Sequence, residues 1–561
     1  MEPAALLLHR FRDLALRLAR RPRYLERRDG RFAAIVWEEA WERALAGALA
    51  LRDRGFRPGE TVAFLAGTRA ATLIAHWSVW IAGGVNVPIP PRARLADVEQ
   101  IVDESEARWL FVDDEGAARA GDLAGRAWHA SFGLTPAARG GDDWAAALAA
   151  ALPTLRPRRR DLDREIDRVD GARLATITYT SGTTGTPKGA EHTHGGIAYS
   201  IRWQFETRPA AEGERDVNFL PFAHNFARFV DYFGVQWGTT TAISSFDGVF
   251  ADVREIRPHM LFSVPRVFEK AYSAALAAGP AGAEERLRAI YGGRLRRANT
   301  GGATIAASVV ELHHRAGIEL LDAFGMSEVD GGVLTQSPPG AARPGTVGRA
   351  IRGIELRIAD DGEVLARGPT VSNGRYFKRP AETAETWRDG WLHTGDLGEI
   401  DGDGYLRITG RKKDILKTAG GKAIAPLPIE NALKRDPLVA QAVVVGDGRP
   451  YCVVLVQVDL AAAREWLAGQ GALPGDDADL RRDPRVRDRI AATVAVVNAQ
   501  LQRHETLKAF AVLPRDLSVD AGELTATAKV KRNAVVAAFA AEIDALYRDG
   551  GVAAAVVARR E

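Results

Sequence analysis

The stretch LATITYTSGTTGTPKG, residues 174 to 189, constrains this chain most. A run in which threonines alternate with alanine, isoleucine and tyrosine suits a strand. It leads straight into a loop of glycines and hydroxyls that ends in Lys188. Glycines let backbone N–H groups approach an anion, and hydroxyls add further donors. A strand delivering such a loop, followed by a helical pattern, has the rhythm of an α/β fold with a phosphate cradle.

The cradle is not a P-loop. Counting G-x-x-x-x-G-K-[ST] from Gly182 puts Lys188 on the lysine position. The preceding glycine is then Pro187 and the following hydroxyl is Gly189. Proline removes a backbone donor, and the Mg²⁺-binding hydroxyl of that motif is absent. Thr180, Ser181, Gly182, Thr183, Thr184 and Gly185 remain as candidate phosphate ligands beside Lys188. The plain alternative is a polar surface loop between two strands.

A chain of 561 residues has room for several domains. Residues 30 to 115 alternate helical and strand patterns, with TLIAHWSVWIAGGVNVPIP (72 to 90) reading as a buried helix, a glycine stop and a short strand. Residues 116 to 170 are poorer in strands, and RPRRRDLDREIDR reads as a solvated connection or helix face. From residue 174 to about 345 the strand–loop–helix rhythm resumes. Residues 346 to 409 read as short strands with glycine turns. There DGDG (401 to 404) is a hairpin turn and not a calcium loop, because the spaced carboxylates are missing. Beyond the basic segment GRKKDILKTAGGK (410 to 422) lies a compact pattern of helices and strands. The expectation is an α/β protein: a large N-terminal domain of α/β layers with a β-rich subdomain, 1–412, and a small mobile α+β C-terminal domain, 413–561.

The net charge of +3 gives no general argument for nucleic acid. Cys452, alone of its kind, excludes an intramolecular disulfide and a cysteine metal cluster, and fits a cytoplasmic location. The N-terminal thirty residues form an amphipathic, arginine-rich helix pattern without a signal-peptide cleavage site. A surface helix is the first reading; peripheral contact with the inner membrane surface is the alternative.

Taken in order, TYTSGTTGTPKG, FLPFAHNFAR (219 to 228), TGGA (300 to 303), DAFGMSE (322 to 328), WLHTGDLG (391 to 398), GRKKDILK (410 to 417) and LTATAKVKR (524 to 532) resemble the acyl-adenylate-forming superfamily. That superfamily includes acyl-CoA synthetases, firefly-type luciferases and peptide-synthetase adenylation domains. FLPFAHNFAR, GGKAIAPLPIE, VVVGDGRPY and the AKVKR ending look most like bacterial long-chain fatty-acyl-CoA synthetases.

The resemblance implies an AMP-forming ligase that uses ATP, Mg²⁺, CoA and a medium- to long-chain fatty acid. A carboxylate has no good leaving group. Attack on the α-phosphate of ATP supplies one, as AMP. By the same resemblance the loop 180 to 189 holds the β- and γ-phosphates, with Lys188 adding charge. Thr184 and Glu328 hold Mg²⁺, Ser327 meets the α-phosphate, and Asp322, Phe324 and Gly325 lie along the nucleotide. Phe324 replaces the tyrosine that relatives often carry, which removes a ring hydroxyl. Gly301, Gly302 and Ala303 form the small-residue strand end against adenine and the acyl carbonyl. Asp396 binds the ribose hydroxyls and Arg411 reaches the same sugar. Lys529 bridges the carboxylate and α-phosphate during adenylation; Ala526 stands near it where relatives usually have proline. Lys413 is the hinge about which the C-terminal domain turns between half-reactions.

His224 lies where relatives place a residue beside the carboxylate pocket, and Arg228 where some long-chain relatives carry an aromatic gate. His192, His194, His313 and His314 lack a partner cluster and read as structural or surface residues. Two alternatives stay open: a fatty-acyl-AMP ligase that loads a carrier protein, and a non-catalytic acyl- or nucleotide-binding protein. The first usually carries an insertion that the stretch 345 to 410 lacks. The second predicts decay at charged positions, yet Lys188, Glu328, Asp396, Arg411 and Lys529 are all present.

Overall fold

The structure is a computed structural model that describes residues 6–123, 126, 128–135, 142–180, 186–206, 209–303, 305–371, 374–472, 475–518, 521–524 and 530–548. The chain divides into two compact units. One comprises Met1–Arg357, Leu365–Thr394 and Ile400–Leu406; the other comprises Ile358–Val364, Gly395–Glu399 and Arg407–Glu561.

The first unit is built on parallel sheet. Strands Trp109–Val112, Thr61–Leu65, Val85–Ile89 and Leu174–Thr180 lie side by side in parallel, and Lys188–Thr193 closes that edge antiparallel. These strands are apolar on both faces because helices cover them. Helix Ala70–Ala82 stops at Gly83, whose φ of +89° a β-carbon would strain, and strand Val85–Ile89 follows. The charged run 156–168 falls largely within the long helix Trp144–Asp167, which buries Trp144, Leu155, Leu162 and Ile166 and turns its arginines outward.

The core is rich in large rings. Phe11 packs on Trp37, Trp41 and Trp77 with centroids 5.1 to 5.6 Å apart. Burying a ring of this size contributes about 1.5–3 kcal/mol. Helix Leu7–Arg17 therefore spends its apolar face, Leu7, Leu8, Phe11 and Leu14, on the protein interior, while Leu16 points outward. Among the described residues no helix is long and apolar enough to cross a membrane.

A second sheet joins Arg215–Asn218, Thr240–Ile243, Pro22–Arg28 and Arg31–Val36. It is tied to helix Asn225–Trp237 by a buried polar knot. Asp231 pairs with Arg23 and accepts from the Tyr24 hydroxyl at 2.9 Å and Trp77 Nε1 at 2.8 Å. A buried carboxylate is tolerated when its oxygens are met in this way. A third sheet runs Met260–Ser263, Arg297–Gly301, Glu319–Phe324, Thr335–Gln336 and Arg349–Ala350.

The second unit has its own sheet, Val439–Val445, Cys452–Val458 and Leu507–Val512, with helices Pro426–Leu433, Leu460–Gly469 and Pro484–Asn498 packed around it. It also takes in Ile358–Val364, Gly395–Glu399 and residues 407–412, which the expected boundary leaves in the N-terminal domain. They carry ends of neighbouring strands of one sheet, and Lys412 adds ion pairs with Asp361 at 2.5 Å and Glu363 at 3.0 Å, while Glu363 accepts from Gly395 N at 2.9 Å. The DGDG segment is a turn in which Asp401 Oδ1 accepts from Asp403 N and Tyr405 N, both at 2.9 Å.

Candidate active site

The glycine-rich segment joins two antiparallel strands, and Thr180 stands opposite Lys188 at its neck. This corrects the strand–loop–helix expectation. The chain returns as strand Lys188–Thr193 and only then enters helix His194–Gln204. The reason is a period of two after the loop: Ala190 and His192 are buried, while Glu191 and Thr193 are partly exposed. Ser181, Gly182, Thr183, Thr184 and Gly185 lie outside the described residues.

A second element meets this hairpin. Strand Glu319–Phe324 runs parallel to Arg297–Gly301, with Thr300 beside Asp322 and Gly301 beside Ala323. The small-residue end Gly301, Gly302 and Ala303 and the stretch from Asp322 to Gly325 thus share one edge. Asp322 is buried. Its Oδ1 accepts from Ala323 N at 2.9 Å, and burial pushes its carboxyl well above the usual range. Phe324 N donates to Thr335 Oγ1 at 3.2 Å. Gly325 is required where it stands, because a β-carbon there would collide with the Gly332 carbonyl. The chain turns sharply at this point and presents Ser327 and Glu328, both partly exposed.

The turn is braced from behind. Asp330 accepts from Thr193 N at 3.0 Å and Thr193 Oγ1 at 2.9 Å, and its own N–H donates to Thr370 O at 3.0 Å. His192 Nδ1 lies 3.3 Å from the same carboxylate. The strand that begins at Lys188 and the turn that carries Glu328 are therefore fixed to each other.

Glu328 and Lys188 converge on one ring. The Tyr376 hydroxyl donates to Glu328 Oε1 at 3.0 Å, and Lys188 Nζ lies 5.3 Å from the Tyr376 ring centroid. Burial, with the Glu328 carboxylate, raises the Tyr376 hydroxyl above its usual range, so it stays a donor. Tyr376 and Asp330 are absent from the sequence reading. A single tyrosine in GRYFKR and an aspartate two residues past a motif carry no signal of their own.

His224 caps helix Asn225–Trp237: its Nδ1 accepts from Phe226 N at 3.2 Å. Arg228 is 0% exposed. It donates to the carbonyls of Phe222 and Ala223 at 2.9 and 3.0 Å and to Thr178 Oγ1 at 2.7 Å. Arg228 thus joins the helix to strand Leu174–Thr180 near the strand's C-terminal end. His194 and His313 are buried, and burial holds them down to about 3 and about 4, so both are neutral near pH 7. His192 is also buried, and His314 Nε2 meets Leu320 O at 3.0 Å.

In the second unit Arg411 Nε donates to Asp396 Oδ1 at 2.8 Å, and Asp396 is buried. Lys413 lies in the short turn Lys412–Asp414. Lys529 is outside the described residues. Leu524 and Val530, which flank its segment, form a bridge, and Lys531 N donates to Glu523 O at 2.7 Å. Among the described residues no cluster of three or more histidine, cysteine or acidic side chains could hold a metal. The carboxylate of Glu328, which shares the Tyr376 side chain with Lys188, offers oxygen donors only. That fits a hard cation sharing its shell with phosphate and water.

The sequence profile of the AMP-binding enzyme family matches residues 16–376, and that of the AMP-binding enzyme C-terminal domain matches residues 413–550. The chain belongs to the AMP-binding enzyme family, within the acyl-adenylate-forming superfamily. As an AMP-binding enzyme it is 34% identical over 563 residues to the long-chain-fatty-acid–CoA ligase FadD15 of Mycobacterium bovis, covering 92% of this chain and 93% of that protein. The fold matches the adenylation domain of a carboxylate reductase from Mycobacterium chelonae with a TM-score of 0.79 and 24% identity, over 97% of this chain and 92% of that one. It also matches the anthranilate CoA ligase AuaEII in complex with anthranoyl-AMP, with a TM-score of 0.77 and 18% identity, over 97% and 99% of the two chains.

Proposed function

We propose that this AMP-binding enzyme activates a medium- to long-chain fatty acid as its acyl-AMP and transfers the acyl group to CoA, releasing AMP and pyrophosphate. The observation that carries the reading is the convergence of Lys188 and Glu328 on Tyr376 at the neck of the glycine-rich hairpin. A cation and an oxygen-ligand acid held close together support the handling of a polyphosphate there. The fatty acid is supported by the similarity, over nearly the whole length, to a long-chain-fatty-acid–CoA ligase.

In the first half-reaction a carboxylate oxygen attacks the α-phosphorus in line, and the bond to the pyrophosphate oxygen breaks. Lys188 and the donors of the loop 180–189 hold the β- and γ-phosphates. Ser327 and Lys529 offset charge that grows on the α-phosphoryl oxygens, where preorganised donors contribute most. Mg²⁺, held by Glu328 and Thr184, would supply further positive charge to the polyphosphate. Asp396 and Arg411 fix the ribose. Gly301, Gly302 and Ala303 admit the adenine and acyl carbonyl closely, and Phe324 stacks on the base. His224 stands beside the carboxylate, and Arg228 underpins that wall. In the second half-reaction the CoA thiolate attacks the acyl carbonyl and AMP leaves with one former carboxylate oxygen. Lys413 is the hinge for the change of domain orientation between the two.

The test is a panel of straight-chain acids from acetate to stearate, with ATP, Mg²⁺ and CoA. AMP and pyrophosphate release that peaks between about eight and eighteen carbons and requires CoA fits the reading. Steady release with a carrier protein but not with CoA would replace it with the carrier-loading ligase. No AMP with any of these acids would remove the fatty-acid assignment.

A further inference from the structure

Lys188 and Glu328 carry opposite charges and approach the same ring, yet they form no ion pair with each other. Glu328 is instead held by the Tyr376 hydroxyl. That hydroxyl is aimed by an unusually firm support. Tyr376 pairs with Ala190 as an isolated bridge, and its neighbours continue the pairing: Phe377 N donates to Gly189 O at 2.7 Å, and Glu191 N to Arg375 O at 3.0 Å. Tyr376 N donates to Thr383 Oγ1 at 3.0 Å. The ring is buried and meets Trp387 edge-on, with centroids 5.2 Å apart, and Trp387 is itself tied to Val371 O at 3.1 Å. The strand that starts with Lys188 thus carries Tyr376 beside it, and Tyr376 in turn reaches Glu328.

We propose that Tyr376 is a positioning residue of this site: its hydroxyl turns the Glu328 carboxylate so that one oxygen stays free for a cation, and keeps that carboxylate from closing on Lys188. Each charge then remains available for its own partner on a magnesium–nucleotide complex, the acid for the metal and the ammonium for phosphate. A carboxylate whose orientation is fixed by an outer hydrogen bond binds metal better than one free to rotate. The inference rests on the assignment of Glu328 and Lys188 to the nucleotide site, not on which acid is activated.

The test is a double-mutant cycle read by calorimetry of ATP binding in the presence of Mg²⁺, without any acid substrate. Tyr376→Phe keeps the ring and its packing and removes only the hydroxyl. It is expected to weaken ATP–Mg²⁺ binding by about ten-fold, the usual effect of losing a hydrogen bond to a charged group. Glu328→Gln weakens binding by itself. In the Glu328→Gln background, Tyr376→Phe is expected to change the Kd less than about two-fold, because the group it positions is gone. Equal weakening by Tyr376→Phe in both backgrounds would mean a purely structural ring hydroxyl and would overturn the proposal. So would an unchanged Kd in the Tyr376→Phe protein with Glu328 intact. Because binding is measured without acid, failure of the fatty-acid assignment leaves this test unaffected.

Discussion

Arg411 reaches across to Asp396 with an Nε to Oδ1 distance of 2.8 Å, and Asp396 is almost wholly buried while Arg411 stays half-exposed. A buried aspartate held from one side by an arginine keeps its orientation. Such a group is poised to accept two hydroxyls of a sugar, which aspartate can do with its two oxygens. Replacing it tests the ribose assignment. Asp396→Asn is expected to raise the Kd for ATP by about ten-fold or more, from the loss of charge-assisted hydrogen bonds. The matching control is 2′-deoxy-ATP: the wild type should bind it more weakly than ATP, and Asp396→Asn should bind both alike. A variant that still prefers ATP as strongly as the wild type would exclude this role.

Lys529→Ala separates the two half-reactions. Loss of acid-dependent ATP–pyrophosphate exchange by at least about a hundred-fold is expected, because a charge stabilising the transition state is gone. Conversion of added acyl-AMP and CoA to the thioester should persist, and so should the melting temperature. Exchange at the wild-type rate would remove Lys529 from the adenylation step.

Much of the first half of the site is legible in the chain because it sits in continuous segments. The strand Leu174–Thr180 and the turn after Phe324 are local: a β-branched run and a glycine at a tight bend announce themselves. The return of the chain as strand Lys188–Thr193 is local too, but the bridge from its Ala190 to Tyr376 is not, since the two are remote in sequence. The brace of Asp330 on Thr193 and the bond from Tyr376 to Glu328 are hidden for the same reason. The same holds for the second unit, whose first residues, Ile358–Val364, join it through strand neighbours and ion pairs that lie far along the chain. The arginine-rich N-terminal helix looks amphipathic in sequence, and only packing reveals that Phe11 faces tryptophans of the core and that Leu14 is buried.

Arg228 offers a test of stability against selectivity. The guanidinium is fully buried and its bonds to Phe222, Ala223 and Thr178 fasten helix Asn225–Trp237 to the sheet. Arg228→Met fills much of the space but leaves those acceptors unmet, at a cost of about 2–4 kcal/mol. The melting temperature is expected to fall by roughly 3–10 °C. A variant that melts like the wild type and shifts only its preferred chain length would make Arg228 a gate instead of an anchor.

Asp216 makes stability depend on pH. It is buried, accepts from Thr239 Oγ1 at 2.7 Å, and burial pushes its carboxyl from 3.8 up to about 7. Between these values the folded protein holds the proton and the unfolded chain does not. Stability from this group is therefore fully present below about pH 4, falls as pH rises to about 7, and is level above that. Asp216→Asn removes the cost of the buried charge. The variant should gain melting temperature over the wild type at pH 8, and the gain should shrink at pH 5. An equal difference at both pH values would show that Asp216 does not titrate in this range.

Oxygen tracing tests directly whether the acid is activated as an adenylate before CoA takes it. Palmitate labelled with ¹⁸O in both carboxylate oxygens is turned over with ATP, Mg²⁺ and CoA, and the nucleotide and phosphate products are examined by mass spectrometry. One ¹⁸O is expected in each AMP formed and none in pyrophosphate, since AMP departs with a carboxylate oxygen. Label in inorganic phosphate accompanied by ADP, or AMP without label, would contradict it.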